Sequence, residues 1–207
     1  MKTTKRNFII NELLVENFLE WSTNVIHLEE TDEEGKSELD FQVVSDENLI
    51  IKNVDKKHTD LYFFENSATK SMFKRVDHIV FENVYENNWK LHLIEMKSNI
   101  FDKKWLEVKG KFRASYLLSQ GIAAMLEMNI VDICMYTTYE NVHFLKPDTM
   151  PSSRRLPLGV PQIRPQEEWD EGRVSLNFGT EIKFPHISIQ MNRNNSNVLI
   201  GECICAI

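Results

Sequence analysis

The 207-residue chain has few cysteines, few glycines and no long apolar run, and each shortage excludes a class of protein. Cys134, Cys203 and Cys205 are too few for a disulfide framework, and the two that are close in sequence lack the second Cys/His pair of a zinc site. The seven glycines form neither a phosphate loop nor a dinucleotide fingerprint, which argues against kinase, P-loop and dinucleotide-dependent chemistry. No apolar stretch approaches the ~20 residues that cross a bilayer, and no signal peptide is recognisable. We therefore expect a cytoplasmic protein with reduced thiols and no membrane partner.

Positive charge is also scarce, because 24 Lys and Arg accompany 31 Asp and Glu, for a formal net charge of −7. This balance excludes a uniformly basic coat that binds nucleic acid without specificity. The acidity is local, however: residues 11–65 hold 15 acidic and 4 basic side chains, whereas residues 70–113 hold 6 acidic and 10 basic ones. A basic surface around the second of these segments therefore remains compatible with the composition.

The periodicity of the apolar residues predicts an α/β protein. Apolar positions three and four residues apart predict an amphipathic helix over residues 7–24 and a longer helix over residues 103–128. Alternating or β-rich runs predict strands, including a hairpin over residues 76–97 with an Asn-rich turn. The other predicted strands cover residues 39–44, 49–51, 61–64, 130–139, 173–178, 181–191 and 197–207. Five prolines between residues 147 and 165 predict an extended arm. We divide the chain into an α/β core (1–145) and a proline-rich arm with a C-terminal β extension (146–207), packed on the same domain.

Two acidic residues and a lysine fall at one end of the predicted hairpin. Asp77 begins the first strand, and Glu95-Met96-Lys97 ends the second. Strand alternation places Glu95 and Lys97 on one face and Met96 on the other. Two carboxylates and the Met96 backbone carbonyl are the oxygen ligands that Mg²⁺ or Mn²⁺ prefers. The sequence thus predicts a metal site that can polarise a phosphate and activate a water, with Lys97 beside it.

This arrangement of a helix with acidic residues, Asp77, a strand ending in Glu95-x-Lys97 and a long following helix resembles the PD-(D/E)XK nuclease superfamily. The resemblance covers residues 8–140 and implies a restriction-endonuclease-like fold, a central mixed β-sheet flanked by helices, here with extra C-terminal β-strands. It implies a metal-dependent nuclease, an endonuclease with DNA favoured over RNA. The proline that often precedes the first acid is missing, since Arg75-Val76 stands before Asp77.

The resemblance implies roles for particular residues. Asp77 and Glu95 bind the metal, Lys97 assists the attacking water, and an acid on the first helix completes the site. We choose Glu16 for that acid, although Glu12 and Glu20 lie on the same stripe and are not separated from it. A polar residue on the second helix also contributes, and the candidates that contact nucleic acid there are Lys111, Arg113 and Gln120.

Basic side chains on the proline-rich arm are further candidates for phosphate contacts, namely Arg154 and Arg155. The size of the chain suggests that specificity comes from a homodimer, a partner subunit or this arm. We expect His78 and His92 to be structural rather than metal ligands. Glu95 and Lys97 also fit a simple ion pair at a sheet end. The alternative is therefore a catalytically inactive nuclease-fold module that binds a protein or nucleic acid.

Overall fold

The computed structural model describes residues 5–8, 10, 19–32, 35–52, 54, 71–145 and 165–205. The helices among them are α1 (Lys5–Phe8), α2 (Asp102–Met125) and α3 (Pro165–Asp170). The strands of the first half are β1 (Leu19–Ser22), β2 (Val25–Asp32), β3 (Gly35–Gln42), β4 (Asn48–Ile51), β5 (His78–Tyr85), β6 (Asn88–Glu95) and β7 (Asn99–Phe101). Those of the second half are β8 (Asn129–Tyr139), β9 (Asn141–His143), β10 (Arg173–Asn177), β11 (Glu181–Gln190), β12 (Asn192–Arg193) and β13 (Leu199–Ile204).

A mixed seven-stranded sheet forms the centre of the molecule, in the order β1-β4-β5-β6-β8-β11-β10. Strands β5 and β6 form the predicted antiparallel hairpin, in which His78 pairs with Ile94. On its other side β6 runs parallel to β8, which in turn runs parallel to β11. Strand β6 is buried over most of its length because both of its faces are covered, as is typical of central strands.

The two faces of this sheet are covered by different layers. One face packs against α2 and α3, and its core includes Leu91, Leu93, Trp105 and Phe112. The opposite face packs against a four-stranded sheet of order β12-β13-β3-β2, with Ile94 and Met96 in that second core. The prediction of an α/β protein with a mixed central sheet flanked by helices is therefore confirmed.

Helix α2 carries the buried stripe that its sequence predicts. The segment has no proline, and its core-facing residues recur every three or four positions, as an amphipathic helix requires. They include Trp105, Val108, Phe112, Ser115, Ser119 and Ile122. Packing of this stripe on the central sheet brings the middle of α2 over the end of the β5–β6 hairpin.

The predicted helix over residues 7–24 is wrong in its C-terminal part. Leu19–Ser22 is a strand that pairs antiparallel with β4, so that Glu20 lies opposite Ile50. Pairing with an exposed sheet edge outweighs the helical spacing of the apolar residues, because local propensity is a weak term against tertiary packing. The predicted strand over residues 61–64 and the arm over residues 146–164 lie outside the described residues.

The C-terminal strands belong to both sheets. Strand β11 lies next to β8 in the central sheet, and β13 runs parallel to β3 in the smaller one. The second half of the chain therefore closes both cores. Among the described helices, none has the length and apolar character required to span a membrane.

Candidate metal and phosphate site

Two carboxylates meet at the end of the β5–β6 hairpin beneath α2. Asp77 directly precedes β5 and Glu95 is the last residue of β6, and both are buried, with 2% and 0% of their surface exposed. His78 pairs with Ile94 in the hairpin. Asp77 directly precedes His78 and Glu95 directly follows Ile94, so the two acids lie next to each other at the end of the hairpin. Both acids lie on the sheet face that packs on α2, because their odd-numbered neighbours Ile79 and Leu93 belong to that core.

Hydrogen bonds hold Asp77 in this position. Its Oδ2 accepts a 2.6 Å hydrogen bond from the Met96 backbone N–H. The preceding N–H, of Val76, donates to the Ser115 hydroxyl of α2 at 2.9 Å. The Asp77 carbonyl accepts from the Val54 N–H at 3.2 Å. The Asp77 side chain and the backbone around it are thus tied to three different segments of the chain.

Two lysine ammonium groups converge on the carboxylates. Lys97 Nζ lies 2.9 Å from Glu95 Oε1 and 3.9 Å from Asp77 Oδ2. Lys111 Nζ, which reaches down from α2, lies 2.8 Å from the same Glu95 oxygen and 3.5 Å from Asp77 Oδ1. The site therefore combines two negative and two positive groups in a largely buried space.

These surroundings change the pKa of Glu95. Burial raises the pKa of Glu95 from its ordinary value of 4.5 to about 7, and the charge of Asp77 adds to the increase, while Lys111 and Lys97 oppose it. Its Oε2 accepts no hydrogen bond from the described part of the chain. A buried carboxylate oxygen without a hydrogen bond is energetically costly, and a bound cation is one of the few groups that would remove this cost.

Lys97 is positioned by its backbone as well as by the carboxylates. Its N–H donates to the Thr138 hydroxyl of β8 at 2.8 Å, and that hydroxyl donates to the Lys97 carbonyl at 3.1 Å. The Lys97 ammonium also donates to the Met96 carbonyl at 2.8 Å. The carbonyl predicted as the third metal ligand therefore faces the same space as the two carboxylates.

Of the three candidates on the second helix, only Lys111 contacts the acids. Burial alone would lower the pKa of Lys111, but the negative charges of Glu95 and Asp77 raise it. Arg113 and Gln120 are displaced by roughly half a turn around α2, because each residue advances about 100°. They share the stripe of the exposed Leu106 and Leu117, away from the carboxylates.

Sequence reasoning did not identify Ser115 and Thr138, which fix the backbone on either side of the site, nor the contact of Lys111 with both acids. A signal for Lys111 was present, since it borders the buried stripe of α2, three positions after Val108 and four before Ser115, where a lysine needs a charged partner.

The remaining predicted site residues belong to the N-terminal segment and to the proline-rich arm. Glu12 and Glu16 lie outside the described residues, as do Arg154 and Arg155 of the arm. Glu20, on β1, forms an ion pair with Lys52.

His92 belongs to a hydrogen-bonded chain on the opposite face of the sheet. Its Nε2 lies 2.9 Å from Glu82 Oε2, and its Nδ1 lies 3.0 Å from the Tyr136 hydroxyl, which contacts Cys205 Sγ at 3.3 Å. Burial opposes the charge of the imidazole, but hydrogen bonds to Cys205 and Glu82 raise the pKa of His92. His92 is thus a buried, hydrogen-bonded side chain remote from the acids. His78 is also buried, and its side chain follows the same alternation away from Asp77.

The carboxylate site fits a hard divalent cation. Its donors are carboxylate oxygens of Asp77 and Glu95 and the Met96 carbonyl, the set that Mg²⁺ and Mn²⁺ prefer. The orphaned Glu95 oxygen supplies a ligand position that no protein group uses within the described residues.

A second group of ligand atoms, from His27, Glu29 and Glu38, lies on the exposed face of the smaller sheet. Lys36 already pairs with both acids, at 3.4 Å and 2.6 Å, and His27 Nδ1 contacts Asp40 at 2.8 Å. The charges of this group are therefore compensated at the surface, and we assign no metal to these three residues.

Comparisons of the chain with protein-family models, with curated proteins and with solved structures give no significant match.

Proposed function

We propose that this protein is a divalent-metal-dependent nuclease with a restriction-endonuclease-like core, which hydrolyses internal phosphodiester bonds in DNA in preference to RNA. The observation that carries the proposal is the meeting of Asp77, Glu95 and Lys97 with a buried Glu95 oxygen that accepts no hydrogen bond from the described residues. This combination of a carboxylate pair, an adjacent carbonyl and an ammonium group is suited to phosphoryl chemistry.

Each residue has a distinct role in this proposal. Asp77, Glu95 and the Met96 carbonyl would hold Mg²⁺ or Mn²⁺. The bound cation supplies Lewis-acid polarisation of the phosphate and lowers the pKa of a coordinated water. Lys97, held by Thr138 and the Met96 carbonyl, orients the attacking water and offsets negative charge that develops on the phosphate. Water adds to phosphorus, the bond to the leaving oxygen breaks, and that oxygen takes up a proton.

A narrow cleft lies beside Lys97, lined in part by Glu30, Lys36, Ser37, Ser98 and Arg193. Lys36 and Arg193 pair with Glu38 and Glu140, and a phosphate would compete for these two cations. Ammonium, guanidinium and hydroxyl groups are the side chains that contact phosphates in nucleic-acid complexes. A homodimer or a partner subunit would extend this small surface and contribute specificity.

The test is cleavage of supercoiled plasmid, linear duplex DNA and RNA in Mg²⁺, in Mn²⁺ and in chelator. We expect nicking of the closed circular plasmid with either metal, and its loss in Glu95→Ala and Lys97→Ala. Lys90→Gln is the matched control, since Lys90 lies on the same strand and pairs with Asp132 at 3.3 Å. Metal-dependent cleavage that survives in both site variants would contradict the proposal.

The alternative function is a catalytically inactive module of the same fold. Its supporting observation is that two ammonium groups already balance the two carboxylates. A pure scaffold would show no thermal shift on addition of Mn²⁺, whereas the nuclease would be stabilised by it. Salt-dependent DNA binding that persists in Glu95→Ala, without cleavage by the native protein, would favour the module.

A further inference from the structure

We propose that Lys111 is the resident counter-ion of the Asp77–Glu95 pair, and that it must leave this position when a divalent cation enters. A nucleic-acid phosphate then becomes its new partner, so that metal and nucleic acid bind cooperatively. This inference rests on the proposed nuclease function and concerns how the same site is controlled.

The geometry places Lys111 in the position of a bound cation. Its ammonium lies 2.8 Å from Glu95 Oε1 and 3.5 Å from Asp77 Oδ1, and so bridges the two carboxylates. A magnesium ion approaches its oxygen ligands to about 2.1 Å. A divalent cation bound to these oxygens would lie within a few ångströms of the Lys111 ammonium, and its double charge would repel that ammonium strongly.

Lys111 is more easily displaced than Lys97. The backbone of Lys97 is fixed on both sides by the Thr138 hydroxyl, and its ammonium also donates to the Met96 carbonyl. Lys111 instead extends from α2, and the contacts of its ammonium within the described part of the chain are with the two carboxylates. A rotation of its terminal bonds carries the charge toward solvent while the helix stays in place.

The charge balance explains why a phosphate should assist. With all four groups ionised, the two carboxylates and two ammonium groups sum to zero. A divalent cation added to these four groups gives an excess of two positive charges in a poorly hydrated space, which is costly. A phosphodiester brings a negative charge and accepts the displaced ammonium. By linkage, the metal must strengthen nucleic-acid binding by the same factor by which the nucleic acid strengthens metal binding.

Isothermal titration with Mn²⁺ tests this, without and with a phosphorothioate-substituted duplex that resists cleavage. In the absence of the duplex we expect Lys111→Gln to bind Mn²⁺ about tenfold more tightly than the native protein, a difference of about 1.4 kcal/mol. The duplex should raise the Mn²⁺ affinity of the native protein by more than that of Lys111→Gln. Lys111→Arg, which keeps the charge, should bind Mn²⁺ as weakly as the native protein.

Lys90→Gln is again the control, because 20% of the Lys90 side chain is exposed, as in Lys111, and it pairs with an acid outside the site. It should leave Mn²⁺ binding unchanged, and thermal unfolding verifies that each variant is folded. Equal Mn²⁺ affinity of the native protein and Lys111→Gln, with DNA cleavage present, overturns the counter-ion proposal and leaves the nuclease proposal intact. Tighter Mn²⁺ binding by Lys111→Gln, without DNA cleavage by the native protein, overturns the nuclease proposal and leaves the counter-ion proposal intact. Absence of Mn²⁺ binding in every variant, even with the duplex, overturns both.

Discussion

The Asp77 carboxylate accepts a 2.6 Å hydrogen bond from the Met96 backbone N–H. This bond joins the residue before β5 to the residue after β6 at the open end of their hairpin. It also holds Met96, the residue whose carbonyl accepts a hydrogen bond from the Lys97 ammonium. The position of the Asp77 carboxylate and the position of the Met96 carbonyl are therefore linked.

Asp77→Asn should separate the structural role of this side chain from its charge. The amide oxygen of Asn can still accept from the Met96 N–H, so we expect the fold to survive. Loss of the negative charge should lower metal-dependent cleavage at least ~100-fold, the order found when one electrostatic contact to a transition state is removed. Asp77→Ala should in addition cost about 1–3 kcal/mol of stability, because it leaves the buried N–H unpaired. Urea unfolding and plasmid cleavage measure the two effects, and equal cleavage by the native protein and Asp77→Asn would contradict the first.

Glu95→Gln should stabilise the metal-free protein at alkaline pH. The pKa of Glu95 is raised to about 7, so the folded state holds this proton more tightly than the unfolded chain. The stability that Glu95 contributes is therefore complete below about pH 4.5 and is lost as the pH rises through about 7. Gln resembles the protonated Glu side chain, so the Glu95→Gln variant does not lose this stability as the pH rises.

The variant should gain up to about 3 kcal/mol over the native protein between pH 4.5 and 8, at about 1.4 kcal/mol for each pKa unit. Denaturant titrations in chelator at pH 4.5, 6 and 8 measure this gain, and the pH 4.5 comparison serves as the reference. A stability difference that stays constant across this range would contradict the prediction.

Thr138→Val should impair catalysis through Lys97. The substitution preserves shape but removes both hydrogen bonds that the hydroxyl makes with the Lys97 backbone. A lysine that is less well oriented should reduce kcat about tenfold or more, while KM changes little, since positioning acts on the transition state. Thr137→Val is the matched control, because the neighbouring hydroxyl contacts His186 at 3.0 Å instead. Similar losses of kcat in both variants would argue against a positioning role for Thr138.

Lys109→Met should be among the most destabilising single substitutions on α2. The Lys109 ammonium contacts both oxygens of Glu168, whose side chain is 12% exposed, at 2.8 Å and 2.9 Å, and thereby joins α2 to α3. Removal of Lys109 leaves a largely buried charge uncompensated, at a cost of about 3 kcal/mol.

The double variant Lys109→Met/Glu168→Gln should recover a substantial part of this loss. The Trp105 indole N–H and the Ser175 N–H donate to different oxygens of Glu168, and the Gln oxygen can still accept from one of them. Urea unfolding of the two single variants and the double variant closes a double-mutant cycle. Strictly additive changes would show that the two side chains are not energetically coupled.

Local patterns determined a large part of the fold. The β5–β6 hairpin, α2 and β8 lie close to where alternation, the Asn-rich turn and helical spacing place them. Those segments have strong periodicity, and each buries a complete face. Leu19–Ser22 did not follow its helical spacing, because the free edge of β4 offered it a strand partner 26 to 32 residues away. Such a partner is invisible to any local window.

The sequence by itself determined which chemistry the site can hold, since alternation and the hairpin register suffice to place Asp77, Glu95 and Lys97 at one sheet end. Only the tertiary structure decided that Lys111 joins them, that Arg113 and Gln120 turn away, and that Ser115 and Thr138 fix the backbone. The physical reason is that these contacts depend on how α2 and β8 pack against the hairpin. Packing also excludes water from the carboxylates, and this exclusion, which no short motif encodes, leaves Glu95 Oε2 without a hydrogen bond from the described residues.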